Sequence, residues 1–286
     1  MKYQECYLKG KDALVNAGVE EAVLDARLLL EYVCGTNRNY LLVYGDKEVT
    51  EEQEQAYFET IEKRASRIPL QHITGVQNFM GLDFKVNEHV LIPRQDTEIL
   101  VEEVLRQMSD GSRILDMCTG SGCILTSLLH YNNWCEGVGV DVSADALEVA
   151  KHNASNLLKG KEQTSFHFIE SNLFENVDGV FDVIVSNPPY IATDVIETLM
   201  PEVKEHEPRL ALDGTEDGLF FYRKIVDEGR NYLKNGGMLY FEIGHDQGAE
   251  VKTLMEQAGF IEVVIVKDYA GLDRVVYGTK KEVDHV

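Results

Sequence analysis

Along residues 3–17 and 21–33, apolar side chains recur three and four positions apart, the spacing that gathers them on one helix face, and Gly35 stops the second run. Thr50-Glu51-Glu52-Gln53 reads as a capping box that opens another helix toward Arg67. Residues 1–67 therefore predict a small all-α domain. Pro69 ends it. Residues 68–93 predict a linker in which Gly75 and Gly81 punctuate a β-hairpin with some alternation at Phe84 and Val86, before Val90-Leu91-Ile92-Pro93. From residue 94 to 286 helices and strands alternate: strands at 113–116, 137–141, 165–169, 181–186 and 238–243, with helices at 97–108, up to His130, from a Ser143 cap to 156, at 217–234 and at 246–258. Asn235-Gly236-Gly237 reads as the stop of the helix at 217–234. Alternation of this kind predicts an α/β domain with a mostly parallel sheet, because each crossover returns the chain in the same direction. Two last strands, 262–267 and 274–279, are joined through Gly271 without a helix and predict an antiparallel edge pair.

Length and composition narrow the class. A chain of 286 residues suits a domain of about 200 residues plus a smaller one. Hydrophobic residues make up 44% and charged residues 27%, and no apolar run approaches the roughly 18 residues of a membrane span, which predicts a soluble protein with no membrane partner. Lys2 is not followed by an apolar secretory core, so a cytoplasmic location is expected. The five cysteines are scattered, with no Cys-x-x-Cys, which argues against a disulfide framework or a zinc knuckle. Cys118 and Cys123, the nearest two, read as small residues in and near a tight loop, and the eight histidines recur at no metal-ligand spacing; no metal is expected. A formal charge of −22 repels the phosphates that supply most nucleic-acid affinity and would draw a basic protein partner. Such a charge also serves solubility alone.

Two motifs carry chemistry. In Ile114-Leu115-Asp116-Met117-Cys118-Thr119-Gly120-Ser121-Gly122-Cys123-Ile124 a buried strand runs into a glycine turn and then a helix. Glycines let the backbone take positive φ and approach a ligand, and the helix start offers free N–H groups. Asp141 ends the next strand, placed to accept hydrogen bonds from two ribose hydroxyls. Leu125 stands where a dinucleotide fingerprint carries its third glycine, and Asp116 suits the amino group of a methionine moiety better than a pyrophosphate. The cofactor read from these residues is S-adenosylmethionine, leaving as S-adenosylhomocysteine.

The second motif is Asn187-Pro188-Pro189-Tyr190, directly after the buried run 183–186 at the carboxyl end of the fourth strand of the α/β region. Ligands of open α/β sheets bind at carboxyl ends where strand order reverses, so the first and fourth strands should be neighbours there. Two consecutive prolines fix φ and remove two N–H donors, leaving carbonyls as the backbone polar groups. A rigid row of acceptors suits an –NH2 group. With the Asn187 oxygen and the Pro188 carbonyl each accepting one N–H, a planar amide or amine nitrogen is held with its lone pair aimed at a methyl donor and its developing charge is stabilised. Tyr190 would stack on the planar acceptor and exclude water. Arg94-Gln95-Asp96-Thr97-Glu98 reads either as a lid or as a helix start capped by Asp96 or Thr97, and Leu173 and Phe174 either flank the adenine or join the core.

These residues resemble the bacterial protein-glutamine methyltransferases of the PrmC/HemK type over nearly the whole chain. The likeness also includes Pro69-Leu70-Gln71-His72-Ile73-Thr74-Gly75, Leu91-Ile92-Pro93 with the Arg94–Glu98 block, Glu207-Pro208-Arg209-Leu210-Ala211-Leu212, Phe241-Glu242-Ile243-Gly244 and Asp273-Arg274-Val275-Val276. The resemblance implies a five-helix N-terminal substrate-recognition domain and a class I, Rossmann-like methyltransferase domain with a seven-stranded, mostly parallel sheet. It implies a peptide chain release factor as protein substrate, methylated on the side-chain amide of its Gly-Gly-Gln glutamine, with no direct nucleic-acid partner; a monomer is expected. Cofactor contacts would fall on Asp116, Cys118, Thr119, Gly120, Ser121, Gly122, Asp141, Leu173 and Asn187, and the acceptor amide on Asn187, Pro188, Pro189 and Tyr190. Gln95 stands where proline is usual, Asn172 where aspartate is common, and Leu173 where some members carry a bulkier aromatic. Three other readings stay open: glutamine methylation of a ribosomal protein, adenine-N6 methylation of nucleic acid, whose amino group has the same conjugated geometry, and a catalytically inactive binding module of the same fold.

Overall fold

The computed structural model describes residues 1–282, and the chain falls into two compact units, residues 1–76 with 200–206, and residues 77–199 with 207–286. The first contains α1 (Tyr3–Asn16), α2 (Ala22–Cys34), α3 (Arg38–Tyr44), α4 (Glu51–Ala65) and α5 (Leu70–Thr74). Leu14, Ala26, Leu29, Leu30, Tyr57 and Ile61 form its core. Gly10 lets α1 and α4 approach: a Cβ there would stand 2.0 Å from the Tyr57 hydroxyl, which donates to the Ala26 carbonyl at 3.1 Å. The Thr50 capping box forms, and Gly35 ends α2 in the left-handed conformation, as the sequence predicts. Residues 200–206, bearing the short helix α9 (Pro201–His206), rejoin this unit through charge. Buried Arg64 donates to Asp25 at 2.7 Å and to Glu202 at 2.9 Å, while Arg67 grips both Glu202 oxygens. Burial opposes the Glu202 charge, but the two guanidinium groups hold its carboxyl below the usual range.

The second unit begins with the hairpin β1 (Val76–Phe79) and β2 (Leu82–Lys85), the unit boundary falling at the first residue of β1. It continues through α6 (Gln95–Gln107), β3 (Arg113–Met117), α7 (Cys123–Tyr131), β4 (Glu136–Asp141), α8 (Ala144–Leu157), β5 (Ser165–Glu170) and β6 (Phe181–Ser186). After residues 200–206 come α10 (Phe220–Tyr232), β7 (Leu233–Glu242), α11 (Gly248–Gln257), β8 (Phe260–Lys267) and β9 (Asp273–Lys280). The seven-stranded sheet has the order β5-β4-β3-β6-β7-β9-β8, parallel except for β9, which runs antiparallel to both neighbours. The final pair is antiparallel as expected, with β8 at the edge and β9 inside. Helix α10 ends at Tyr232, earlier than its glycines suggest, because Asn235-Gly236-Gly237 lies within the span of β7.

Side-chain alternation builds the layers. On β3, Leu115 and Met117 pack with α10 and α11 through Tyr222, Ile225, Val251 and Met255, whereas Ile114 packs with α6 and α7 through Leu100, Val104 and Leu125. Ile184 and Phe241 face the first set of helices; Val183, Val185 and Tyr240 face the second. Both faces of the strands are therefore apolar and covered, and a one-residue slip would turn each side chain to the wrong layer. β3 and β6 are neighbours, and the strand order reverses between them, at their carboxyl ends.

Candidate active site

A cavity opens at that reversal. Its walls include Cys118, Thr119, Gly120 and Ser121 after β3, Asp141 and Val142 after β4, Ser171 to Leu173 after β5, and Asn187 and Pro189 after β6. The segment before α6 contributes Leu91, Pro93, Arg94 and Thr97, and the stretch before α10 contributes Pro208, Leu210 and Ala211. Of the residues singled out in the sequence, Cys118 to Ser121, Asp141, Leu173, Asn187 and Pro189 line this cavity. Asp116, Gly122, Pro188 and Tyr190 are not among its lining residues.

The loop after β3 is held from below and from the side. Asp116 is fully buried; its Oδ2 accepts from the Thr119 hydroxyl at 2.6 Å and the Leu125 N–H at 3.3 Å, while Oδ1 has no partner. Burial pushes its carboxyl up to about 7 against those two donors. Asp141 accepts from the Gly120 N–H at 2.9 Å and the Ser143 N–H at 3.0 Å, so it organises the loop as well as facing the cavity. Burial raises its carboxyl, and the N–H bonds oppose the shift. The loop backbone is bent into the left-handed region at Cys118 (φ +62), Gly120 (+53) and Gly122 (+74), and Leu173 across the cavity also holds +52. Such conformations are disfavoured for residues with a Cβ and persist where the surroundings fix them. A Cβ on Gly120 would meet nothing within 4 Å, whereas one on Gly122 would stand 3.0 Å from the Ala150 Cβ. Gly120 thus leaves room for a ligand, and Gly122 lets α7 meet α8.

The loop, Asp141 with lone pairs to spare and the apolar flank of Leu173, Val142 and Ala146 fit an adenosine-type cofactor. Among the described residues, no group of three or more His, Cys, Asp or Glu side chains is placed to hold a metal ion, and no helix is long and apolar enough to cross a membrane.

The corner after β6 is fastened from several directions. Ser186 donates to the Met117 carbonyl at 2.6 Å, tying β6 to β3. The Tyr190 hydroxyl donates to Glu242 at 3.3 Å, its carbonyl accepts from Gln247 at 3.0 Å, and Ile191 exchanges bonds with Leu212 and Gly214. Asn187 donates its Nδ2 to the Thr97 hydroxyl at 3.4 Å. Arg94 reaches both oxygens of buried Glu207, joining two stretches of the wall; burial raises the Glu207 carboxyl while Arg94 lowers it. Neither Asp96 nor Thr97 caps α6: its N-cap is Arg94, and both lie in the first turn. Phe174 leaves the cavity for the core, stacked on Tyr232 at 4.6 Å. Phe221, His89 and Ala146 line the cavity without having stood out in the sequence, where they are ordinary members of apolar or polar runs. Pro208, Leu210 and Ala211 enter only through the resemblance block that contains them.

A seven-stranded sheet with one antiparallel strand, a cofactor loop after its first parallel strand and a proline-stiffened corner after the fourth define a class I, S-adenosylmethionine-dependent methyltransferase. The "Methyltransferase small domain" model matches residues 94–206, and the "PrmC N-terminal domain" model matches residues 5–75. A release factor glutamine methyltransferase from Caulobacter vibrioides is 40% identical over 282 residues, covering 98% of this chain and 97% of that one. One from Geobacter sulfurreducens is 44% identical over 266 residues, covering 93% and 92%. The chain belongs to the release factor glutamine methyltransferase family. A solved methyltransferase from Pyrococcus furiosus, 18% identical, shares the fold with a TM-score of 0.55, over 77% of this chain and all of the other.

Proposed function

We propose that this enzyme methylates the side-chain amide nitrogen of the Gly-Gly-Gln glutamine of a peptide chain release factor. The observation that carries the reading is the orientation of Asn187 on the cavity wall: its Nδ2 donates to the Thr97 hydroxyl at 3.4 Å, which leaves its Oδ1 to accept an N–H from the acceptor. S-adenosylmethionine supplies the electrophilic methyl group. The chain's own contribution is orientation. An amide lone pair is delocalised into its carbonyl, and Asn187 Oδ1 with the Pro188 carbonyl would hold both N–H groups so that the lone pair faces the donor, stabilising the charge that gathers on nitrogen. Pro188 and Pro189 keep this corner stiff. Tyr190, anchored at both its hydroxyl and its carbonyl, supports the corner from behind. Asp116 and the loop 118–122, with Asp141 and Leu173, would hold the cofactor.

The cytoplasm is the proposed setting, supported by five cysteines that are all free thiols. Relatives that match over more than nine-tenths of the chain are release factor glutamine methyltransferases, and the charge of −22 favours a protein over a nucleic-acid acceptor.

The test is a labelled-methyl transfer assay offering purified release factor, DNA and ribosomal RNA to the full chain. Label should appear on the release factor and map to the glutamine amide; label on nucleic acid alone would overturn the reading. Asn187→Ala should lower turnover by about 10²–10³, the range for removing one preorganised partner of a developing charge, with cofactor affinity nearly intact. Wild-type turnover in that variant would end the orientation mechanism.

A further inference from the structure

Helix α8 buries Ala146, Leu147, Val149, Ala150, Asn153 and Ala154, and Asn153, 2% exposed, is the one polar side chain among them. A buried carboxamide is costly unless its donors and its acceptor are matched, so its presence needs a reason. Residues 146, 149, 150 and 153 recur at spacings of three and four and share one side of the helix. Ala146 and Val149 pack with Val86 and Val90, just after β2, and Ala150 faces Gly122 of the loop after β3. Asn153 thus lies where two segments of chain, far apart in sequence, both meet α8.

Its Oδ1 accepts from the Lys85 N–H at 2.8 Å, and its Nδ2 donates to the Lys85 carbonyl at 3.0 Å and to the Ser121 carbonyl at 2.9 Å. Both amide hydrogens are therefore used. A backbone N–H can only donate and a carbonyl can only accept, so these three partners fix which end of the carboxamide is nitrogen, and no titrating group enters the assignment.

Both tethered segments supply cavity wall. Ser121 lines it, as do His89, Val90, Leu91 and Pro93 a few residues beyond Lys85; Asn153 and Lys85 themselves are not among its lining residues. Within the loop, Asp116 holds the Thr119 hydroxyl and Asp141 holds the Gly120 N–H. Asn153 holds the next residue from outside the cavity, so it can be altered without removing a wall group.

We propose that Asn153 is a positioning residue for the cofactor: its carboxamide clamps the Ser121 carbonyl to the backbone of Lys85, so that the loop and the segment leading to residues 89–93 are set in the binding conformation before S-adenosylmethionine arrives. This rests on the reading of residues 118–122 as the cofactor loop.

A loop that must be ordered before binding lowers apparent affinity in proportion to the fraction of molecules already competent, while the complex once formed is unchanged. Asn153→Leu keeps the shape of the side chain and loses all three bonds. In the full chain it should raise the calorimetric Kd for S-adenosylhomocysteine about tenfold, the effect of roughly one net buried hydrogen bond, while kcat at saturating S-adenosylmethionine and the KM for release factor change less than about threefold. Asn153→Asp, which still accepts from Lys85 and can return at most one donor, should fall between this variant and the wild type. A purely structural role would instead lower the binding stoichiometry with the Kd of the folded fraction unchanged, and that result would overturn the proposal. Hydrogen exchange on the wild type provides a measurement that does not depend on any variant folding: S-adenosylhomocysteine should slow exchange at the Lys85 amide by a factor similar to that at the Gly120 amide. Slowing at Gly120 with none at Lys85 would also overturn the clamp. A wild-type protein that binds neither S-adenosyl ligand would overturn the cofactor reading beneath it.

Discussion

Gly218→Ala perturbs the corner without touching the cavity wall. Gly218 holds φ at +71, and a Cβ on it would stand 2.3 Å from the Tyr190 carbonyl oxygen and 2.8 Å from Gln247 Nε2. That nitrogen donates to both the Tyr190 and Gly218 carbonyls, at 3.0 and 3.3 Å. Relief requires backbone movement of about 1 Å at Tyr190 or beside it, a displacement that can cost about 10²-fold in rate when it misaligns reacting groups. The left-handed conformation costs an alanine about 1–2 kcal/mol, and overpacking adds about 1–3 kcal/mol. Together these fall below the roughly 5–15 kcal/mol that stabilise a typical domain, so the variant should fold. Circular dichroism and calorimetric titration with S-adenosylmethionine would establish a folded protein with near-native cofactor affinity, since Gly218 is not part of the cavity wall. Methyl transfer to release factor should then show kcat reduced about 10²-fold. A folded variant with wild-type kcat would refute the argument that the location of the corner governs the rate.

The remaining predictions concern the cofactor loop. Asp141→Ala should weaken cofactor binding by about 1–3 kcal/mol, because a carboxylate that bonds the Gly120 and Ser143 N–H groups is lost along with its free lone pairs; calorimetry showing no change would remove Asp141 from the site. Gly122→Val should destabilise the protein by about 2–4 kcal/mol, through positive φ and a Cβ 3.0 Å from that of Ala150, read as a lower denaturant midpoint; an unchanged midpoint would show that α7 and α8 separate freely. Burial raises the Asp116 carboxyl from 3.8 to about 7, so folding favours its protonated form; that contribution is fully present below the unfolded value and is lost as pH rises through the folded one. Relative to Asp116→Asn, the cofactor-free wild type should therefore lose about 4 kcal/mol between pH 4 and pH 8 in chemical denaturation, and parallel pH profiles would count against the buried, unmatched oxygen.

Periodicity exposed the strands and helices of the sheet unit because most strands are buried on both faces and read as apolar runs bounded by glycine or polar turns. It placed the α10 stop at Gly236 because positive-φ glycines commonly end helices, yet that glycine serves the extended segment from Leu233 instead. The cofactor loop and the Asn187 corner were legible because their chemistry is local: adjacent residues supply glycine freedom, proline rigidity and polar ends. Glu242, Gln247 and Gly218 were not legible as parts of the site. Each bears on Tyr190 from a distant part of the chain, and nothing in the neighbouring sequence separates a carboxyl that braces the corner from one that solvates a strand end.

The placement of polar groups explains why this site can work without a strong base in the cavity. Asp116, Asp141, Asn187 and Glu242 all occur at or just beyond the carboxyl ends of adjacent parallel strands. Of these four, Asn187 is the one with a place on the cavity wall and a carboxamide, whose nitrogen donates to the Thr97 hydroxyl. The carboxyls do other work: Asp116 and Asp141 organise the loop, and Glu242 lies behind the corner. A carboxylate in the place of Asn187 would also accept N–H groups, but it would add a titratable group beside Glu242, whose carboxyl burial already pushes up, and its own ionisation would be disfavoured there. A neutral carboxamide avoids that conflict and keeps a fixed acceptor at every working pH. Asn187→Asp should therefore be a poor substitute despite its matching shape, with a residual turnover that varies with pH where the asparagine enzyme stays level; a flat profile at wild-type rate would show that a neutral carboxamide is not needed.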